Sequence, residues 1–132
     1  MPLKNNMSTI NVAIIEDDTF LAGMYEQKFR MELMNPLMAY DGEAGLELIR
    51  AQKPDIVLLD IMMPKKDGWE VLQILRSDQA TQNIPVIMLT NLGQKEDVDL
   101  ALKYGASDYL IKAHFNPQEV IDRVRTLVAK QT

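Results

Sequence analysis

Side chains that can do chemistry stand at the ends of four apolar runs. Asp60 follows Ile56-Val57-Leu58-Leu59, and the triplet Glu16-Asp17-Asp18 follows Val12-Ala13-Ile14-Ile15. Thr90 closes Val86-Ile87-Met88-Leu89, and Lys112 closes Tyr109-Leu110-Ile111. A carboxylate at the end of a buried strand is a costly charge unless it binds a cation or reacts. Three carboxylates meeting at one crevice repel one another, and a raised pKa or a hard divalent cation relieves the repulsion. Oxygen-only donors without histidine or cysteine suit Mg²⁺, which binds through one or two carboxylates plus phosphate. Asp60 can then act as a nucleophile, since a carboxylate accepts a phosphoryl group to give an acyl phosphate. Such a transfer asks mainly for alignment and charge neutralisation. The cation can hold one phosphoryl oxygen, Lys112 a second and the Thr90 hydroxyl a third. Taken singly, these residues have ordinary readings: a strand-end aspartate as a turn or helix cap, Asp18 as the cap of the first helix, Lys112 as a snorkelling amine. Their joint placement is what points to one site.

The elements that must position them alternate. Residues 10–15, 55–59, 85–89 and 107–111 read as strands, and three of these are continuous apolar runs, the pattern of parallel strands buried on both faces. Residues 36–40 form a weaker fifth, placed at an edge where Pro36 is tolerable. Helical spacing covers 18–34 (Leu21, Tyr25, Phe29), 42–52 (Ala44, Leu48, Ala51), 67–76 (Val71, Leu72, Leu75) and 94–104 (Val98, Ala101, Leu102). The last helix, 117–130, carries Val120, Ile121, Val124, Leu127 and Val128 in one stripe, with Asn116 as its cap and Pro117 in its first turn. Gly105 stops the fourth helix. Five βα units predict a doubly wound parallel sheet with helices on both faces. In strand order 2-1-3-4-5 the crevice opens between the first and third strands, which end in Glu16-Asp17 and Asp60.

At 132 residues the chain is about one domain, and 47% hydrophobic with 25% charged residues is an ordinary globular balance. A net charge of −5 argues against nucleic-acid binding by the domain itself. No run is long enough to span a membrane. The absence of cysteine excludes disulfides and thiol catalysis. Residues 1–9 are expected to be a flexible polar tail, with one domain over 10–132. The nine methionines read most simply as core filler. His114 and the pair Lys65-Lys66 read as solvated loop residues, and Trp69 as packing.

The segments AIIEDD, PDIVLLDIMMPKKDGWEVL, IPVIMLT and GASDYLIK, in this order and spacing, closely resemble the receiver domain of two-component response regulators. The resemblance covers about residues 10–130. It implies the flavodoxin-like receiver fold, with Asp60 as phosphoacceptor and Glu16, Asp17 and the Met62 backbone carbonyl as the further Mg²⁺ ligands. It makes Thr90 the switch hydroxyl, Tyr109 the switch aromatic and Lys112 the phosphate-pairing lysine. The implied donor is a phosphohistidine on a sensor histidine kinase or histidine phosphotransfer protein, in a cytoplasmic phosphorelay. The implied readout is the face of the fourth helix, fifth strand and fifth helix. Asp108, Glu119 and Arg123 resemble part of the charged set through which DNA-binding regulators pair there. The expected state is a monomer, or a dimer through that face when phosphorylated.

The chain departs from the family pattern after Lys112. It reads Ala113-His114-Phe115, without the usual proline and with one extra residue before the aromatic. A cis bond before Ala113 would cost about 2.5–4 kcal/mol, so this loop is expected to take another path. Asn91 replaces the usual small residue and predicts narrower access. Met62 and Leu92 stand where many relatives carry polar side chains, which predicts a long-lived aspartyl phosphate.

Two other classes compete. A phosphatase of the haloacid dehalogenase type needs a second aspartate two residues after the nucleophile, and that position is Met62. The domain is therefore expected to be no enzyme beyond slow self-dephosphorylation. A pseudo-receiver, a docking module that takes no phosphate, would not need the full set Glu16, Asp17, Asp60, Thr90 and Lys112.

Overall fold

A computed structural model describes residues 9–131. Of the expected tail, only Thr9 lies within the described residues. Five strands, β1 (Asn11–Ile15), β2 (Asn35–Ala39), β3 (Ile56–Leu59), β4 (Val86–Thr90) and β5 (Asp108–Ile111), alternate with five helices. These are α1 (Thr19–Met31), α2 (Gly42–Gln52), α3 (Gly68–Ser77), α4 (Lys95–Lys103) and α5 (Pro117–Ala129). The sheet is parallel throughout, in order β2-β1-β3-β4-β5, as the alternation of elements predicts. Pro36 sits in edge strand β2, which pairs with β1 alone among the described residues.

Because successive strand side chains point to opposite faces, the apolar runs build two cores at once. On one face Ala13, Ile15, Val57, Leu59, Val86 and Met88 meet α2, α3 and α4. On the other Val12, Ile14, Ile56, Leu58, Ile87 and Leu110 meet α1 and α5. The helices start where a short acceptor side chain satisfies a free N–H. Asp18 Oδ1 accepts from Leu21 N at 3.1 Å, Asp41 from Ala44 N at 2.8 Å and Asp67 from Glu70 N at 3.0 Å. Asn116 and Glu119 cap α5 reciprocally, each bond 2.9 Å long. At the C-terminal end of α3, Arg76 donates to Gly105 O at 2.9 Å and to Ile84 O at 2.8 Å. One side chain thus ties the turn into β4 to the turn into β5.

Three sequence expectations need correction. The buried stripe of α2 is Gly45, Leu46 and Ile49, while Ala44 and Leu48 are half-buried and Ala51 is exposed. Helical spacing fits both stripes; Leu46 and Ile49 mark the buried one, and Gly45 adds no apolar signal that would have singled it out. On α4 only Ala101 is fully buried and Leu102 faces solvent. The methionines are mixed: Met34 and Met88 are buried, but Met24, Met31 and Met62 are exposed.

Gly68 fixes how closely α3 approaches the end of β3. A Cβ there would lie 2.3 Å from the backbone oxygen of Asp60, while Gly68 N donates to Ile61 O at 2.7 Å. Gly23, on the exposed side of α1, would place a Cβ in open space. Gly68→Ala is expected to destabilise the fold by about 1–3 kcal/mol, because backbone must move. Gly23→Ala should stabilise it by about 0.5–1 kcal/mol through helix propensity. Urea melts of the two variants, compared at constant m-value, check the opposite signs.

Candidate functional site

The C-terminal ends of β1 and β3 lie side by side, with Ile15 paired to Leu59, so the residues that follow them emerge together. Asp60 N donates to Ile15 O at 3.2 Å and Glu16 N to Ala39 O at 3.0 Å, which fixes both backbones at the sheet edge. Glu16 and Asp60 are 4% and 7% exposed, so both charges are nearly out of water. Asp60 Oδ1 accepts from Ile61 N at 2.7 Å, and Glu16 Oε2 accepts from Asp18 N at 3.0 Å. Asp17 is exposed, yet Glu16, Asp17 and Asp60 each offer a carboxylate oxygen within 4.8 Å of the others.

Lys112 closes the arrangement. Its Nζ lies 2.9 Å from Asp60 Oδ2 and 2.5 Å from Glu16 Oε1. The resemblance implies a phosphate-pairing role for this lysine, and its bridge between the two buried carboxylates was not foreseen. It revises the expectation of simple mutual repulsion, since two of the three acids share one cation. Burial pushes the Glu16 carboxyl up, against the opposing pull of Lys112 and the Asp18 amide. The Lys112 ammonium is held above its ordinary range by the two carboxylates, which outweigh its own desolvation.

Without the usual proline, residues Lys112–His114 form a single 3₁₀ turn, and no cis peptide bond occurs among the described residues. The altered path was expected. It nevertheless leaves Lys112 in bonding distance of Asp60, because the lysine is the first residue after β5 and the difference lies beyond it. His114 is exposed in that turn, as predicted.

Thr90 ends β4 and is 1% exposed. Its hydroxyl accepts from Leu92 N at 3.4 Å, and the Leu92 carbonyl accepts from Tyr109 Oη at 2.6 Å. The Leu92 backbone therefore links the two residues implied as a switch, a connection that side-chain types do not reveal. Burial pushes the Tyr109 phenol up to about 12, so it is a neutral donor at physiological pH. Asn91 is exposed. Leu92, rather than Asn91, lines a cleft of about 600 Å³ beside the acids, together with Asp17, Met62, Met63, Asp67 and Trp69. Trp69 packs its ring edge-on against Tyr104, with centroids 6.2 Å apart, so its packing role holds and it also walls the cleft. Asp108 and Arg123 form a pair 2.5 Å apart, with the guanidinium 5.3 Å from the centre of the Phe115 ring.

The family model described as the response regulator receiver domain matches residues 12–125. The chain belongs to this family. It is 40% identical over 119 residues to the DNA-binding dual master transcriptional regulator RpaA of Synechocystis sp. and, to the same degree, to the transcriptional regulatory protein CpxR of Escherichia coli. Each match covers 90% of this chain and 49% of the relative, so the chain spans about half the length of these curated relatives. Among solved structures, the receiver domain of Francisella response regulator 1452 superposes with a TM-score of 0.87 at 35% identity, covering 94% of this chain and all of that one. The BeF3-activated N-terminal receiver domain of Klebsiella pneumoniae RstA gives 0.83 at 31% identity, covering 89% of this chain and 97% of that one. As a receiver domain the protein is a regulatory module of two-component signalling and not a typical enzyme. Among the described residues, no helix is long and apolar enough to cross a membrane.

Removing the lysine would leave two nearly buried carboxylates without their cation. Lys112→Met is expected to cost about 2–3 kcal/mol of stability in chelator. Millimolar Mg²⁺ should restore part of that loss, and adding Asp60→Asn to Lys112→Met should restore part of it without metal. Thermal melts of the two variants, with and without Mg²⁺, check both recoveries.

Proposed function

We propose that Asp60 takes a phosphoryl group from a phosphohistidine on a sensor histidine kinase or histidine phosphotransfer protein, in a Mg²⁺-dependent reaction. The observation that carries this reading is the nearly buried Asp60 carboxylate at the end of β3, bridged to Glu16 by Lys112, with Asp17 in reach of both. Three carboxylates and the Met62 backbone carbonyl make an all-oxygen donor set of the kind Mg²⁺ takes. When bound, the ion would supply neutralising charge for the phosphoryl oxygens. Asp60 contributes the attacking oxygen. Its bond to phosphorus forms as the phosphorus–nitrogen bond of the donor breaks, and the imidazole keeps the electron pair. Lys112 already stands at Asp60 and meets a second phosphoryl oxygen, and the Thr90 hydroxyl donates to a third.

Turning Thr90 toward the phosphoryl group takes its oxygen from Leu92 N, and the Leu92 carbonyl is the acceptor that holds Tyr109. The change would thereby reach α4, β5 and α5, including Lys103, Asp108 and Arg123. The cell compartment that supports such a relay is the cytoplasm. The domain acts as a monomer, or as a dimer through that face when phosphorylated, and leaves any nucleic-acid contact to other parts of a signalling chain. Its own catalysis is at most slow self-dephosphorylation. Met62 and Leu92, which flank the cleft beside Asp17, offer no polar group to orient a water.

Incubation with a small acyl phosphate and Mg²⁺ should add one phosphoryl group by intact mass, and Asp60→Asn should add none. If the wild type gains no mass although Mg²⁺ raises its melting temperature, the domain is a docking pseudo-receiver instead. Once loaded and freed of donor, the wild type should lose phosphate roughly tenfold or more slowly than a Met62→Asn, Leu92→Glu double variant, in which a water can be held. Equal lifetimes would refute the apolar-shielding account.

A further inference from the structure

Tyr25 is a buried titratable side chain that the phosphoryl chemistry above does not use. It lies on α1, is 3% exposed and belongs to the core between the sheet and the helices α1 and α5. α1 starts at the strand ends that carry the acids, and helical side chains lean toward the N-terminus of their helix, so the Tyr25 ring leans back toward that end. There it lines a cavity of about 10 Å³ together with Glu16 and Asp60, among apolar neighbours that include Ile14, Leu58 and Leu89. That volume is room for a single water at most, too small for a ligand but enough for a hydroxyl to change direction. The Tyr25 hydroxyl makes no hydrogen bond among the described residues. No sealed side-chain nitrogen or oxygen lacks a partner there, so this unbonded oxygen borders free space. Burial raises the pKa of the phenol, and the charges of Lys112 and Glu16 both act on it, so it is a neutral donor near that ion pair. Glu16, 4% exposed, has Oε1 met by Lys112 and Oε2 by Asp18 N. A donor without an acceptor thus stands near an acceptor whose one cation is shared with Asp60.

We propose that Tyr25 is a positioning residue whose hydroxyl is a reserve donor to Glu16, engaged when Lys112 is drawn away. While the lysine holds Oε1, the hydroxyl stays unengaged. A phosphoryl group on Asp60 pulls the ammonium toward its own oxygens and loosens it from Glu16. The phenol then turns through the cavity and donates to Oε1, which would otherwise be a nearly buried acceptor without a donor. The Glu16 carboxylate keeps its direction toward Asp17 and Asp60 throughout. Only the occasion, a lysine drawn to a phosphoryl group, rests on the proposed function; the reach of the hydroxyl to Glu16 does not.

Tyr25→Phe keeps the ring and removes only the hydroxyl. In chelator its melting temperature should match that of the wild type, because the bond is not made there. In a Lys112→Met background the same substitution should lower the melting temperature by about 3 °C or more, because the hydroxyl is then in use. The difference between the two backgrounds is a coupling between side chains that make no bond to each other. In a second measurement, wild type and Tyr25→Phe are titrated with beryllofluoride, a mimic of the phosphoryl group, in saturating Mg²⁺. The signal is the emission of Trp69, the one tryptophan of the chain, which lines the cleft beside the acids. Tyr25→Phe should bind roughly tenfold more weakly, the difference one hydrogen bond to a charged group makes. A role in packing alone predicts no change in either measurement, and that result overturns the proposal. So does a Tyr25→Phe substitution that lowers the melting temperature equally in both lysine backgrounds. If Lys112→Met does not fold, the beryllofluoride titration decides alone. If the wild type takes no beryllofluoride, the phosphoacceptor reading fails, and the melts in chelator still decide whether the hydroxyl reaches Glu16.

Discussion

One ammonium between two nearly buried carboxylates is the interaction on which the site depends. Glu16 and Asp60, 4% and 7% exposed, place two carboxylates nearly out of water, and Lys112 at 2.5 and 2.9 Å is the cation that meets both. Three carboxylates less one ammonium leave two negative charges at the crevice, which one divalent cation would balance. The lysine thus has a structural role in the protein as it stands. It orders both carboxylates while leaving the site short of positive charge.

The fold supplies this arrangement through strand order more than through loop detail. Reversal of direction between β1 and β3 opens the sheet where neither helix layer covers the strand ends. Asp60 and Glu16 are then adjacent because their strands are hydrogen-bonded in register. Lys112 comes from the far edge strand, and only its long side chain spans the gap. This explains why the loop after Lys112 can abandon the family's proline without moving the ammonium. The constraint acts on where β5 ends and is indifferent to the path that follows.

The chemistry-bearing residues were legible because buried strands write their ends plainly: an apolar run stops and a charge or hydroxyl follows. Helix caps were legible for the same local reason, as Asp18, Asn116 and Pro117 illustrate. The register of α2 was not. A glycine at a buried position looks like nothing in a hydrophobic pattern, although packing against the sheet requires it. The Leu92 link between Thr90 and Tyr109 was equally hidden, since both bonds use backbone atoms, which every residue has. The Lys112 bridge was half visible. Its residue types were evident, but only the three-dimensional path of β5 shows that the ammonium satisfies Glu16 as well as Asp60.

The Arg76 side chain bears on how such a domain can move. It ties the start of β4 to the turn after α4, and Ala106 N and Ser107 N add bonds of 2.9 and 2.8 Å at the same end. The opposite end of α4 begins at exposed Gln94 and Lys95, where Gln94 and Asp97 cap the helix reciprocally and Gln94 N donates to Asp97 at 3.3 Å. The helix is therefore tied to neighbouring strands at one end, while the caps at the other lie within its own first turn, like a door on a single hinge. Any displacement starting near Thr90 would swing its free end through the largest arc. Residues near the hinge would turn in place, so a surface sensing such a motion would gain most by touching α4 close to the strand ends.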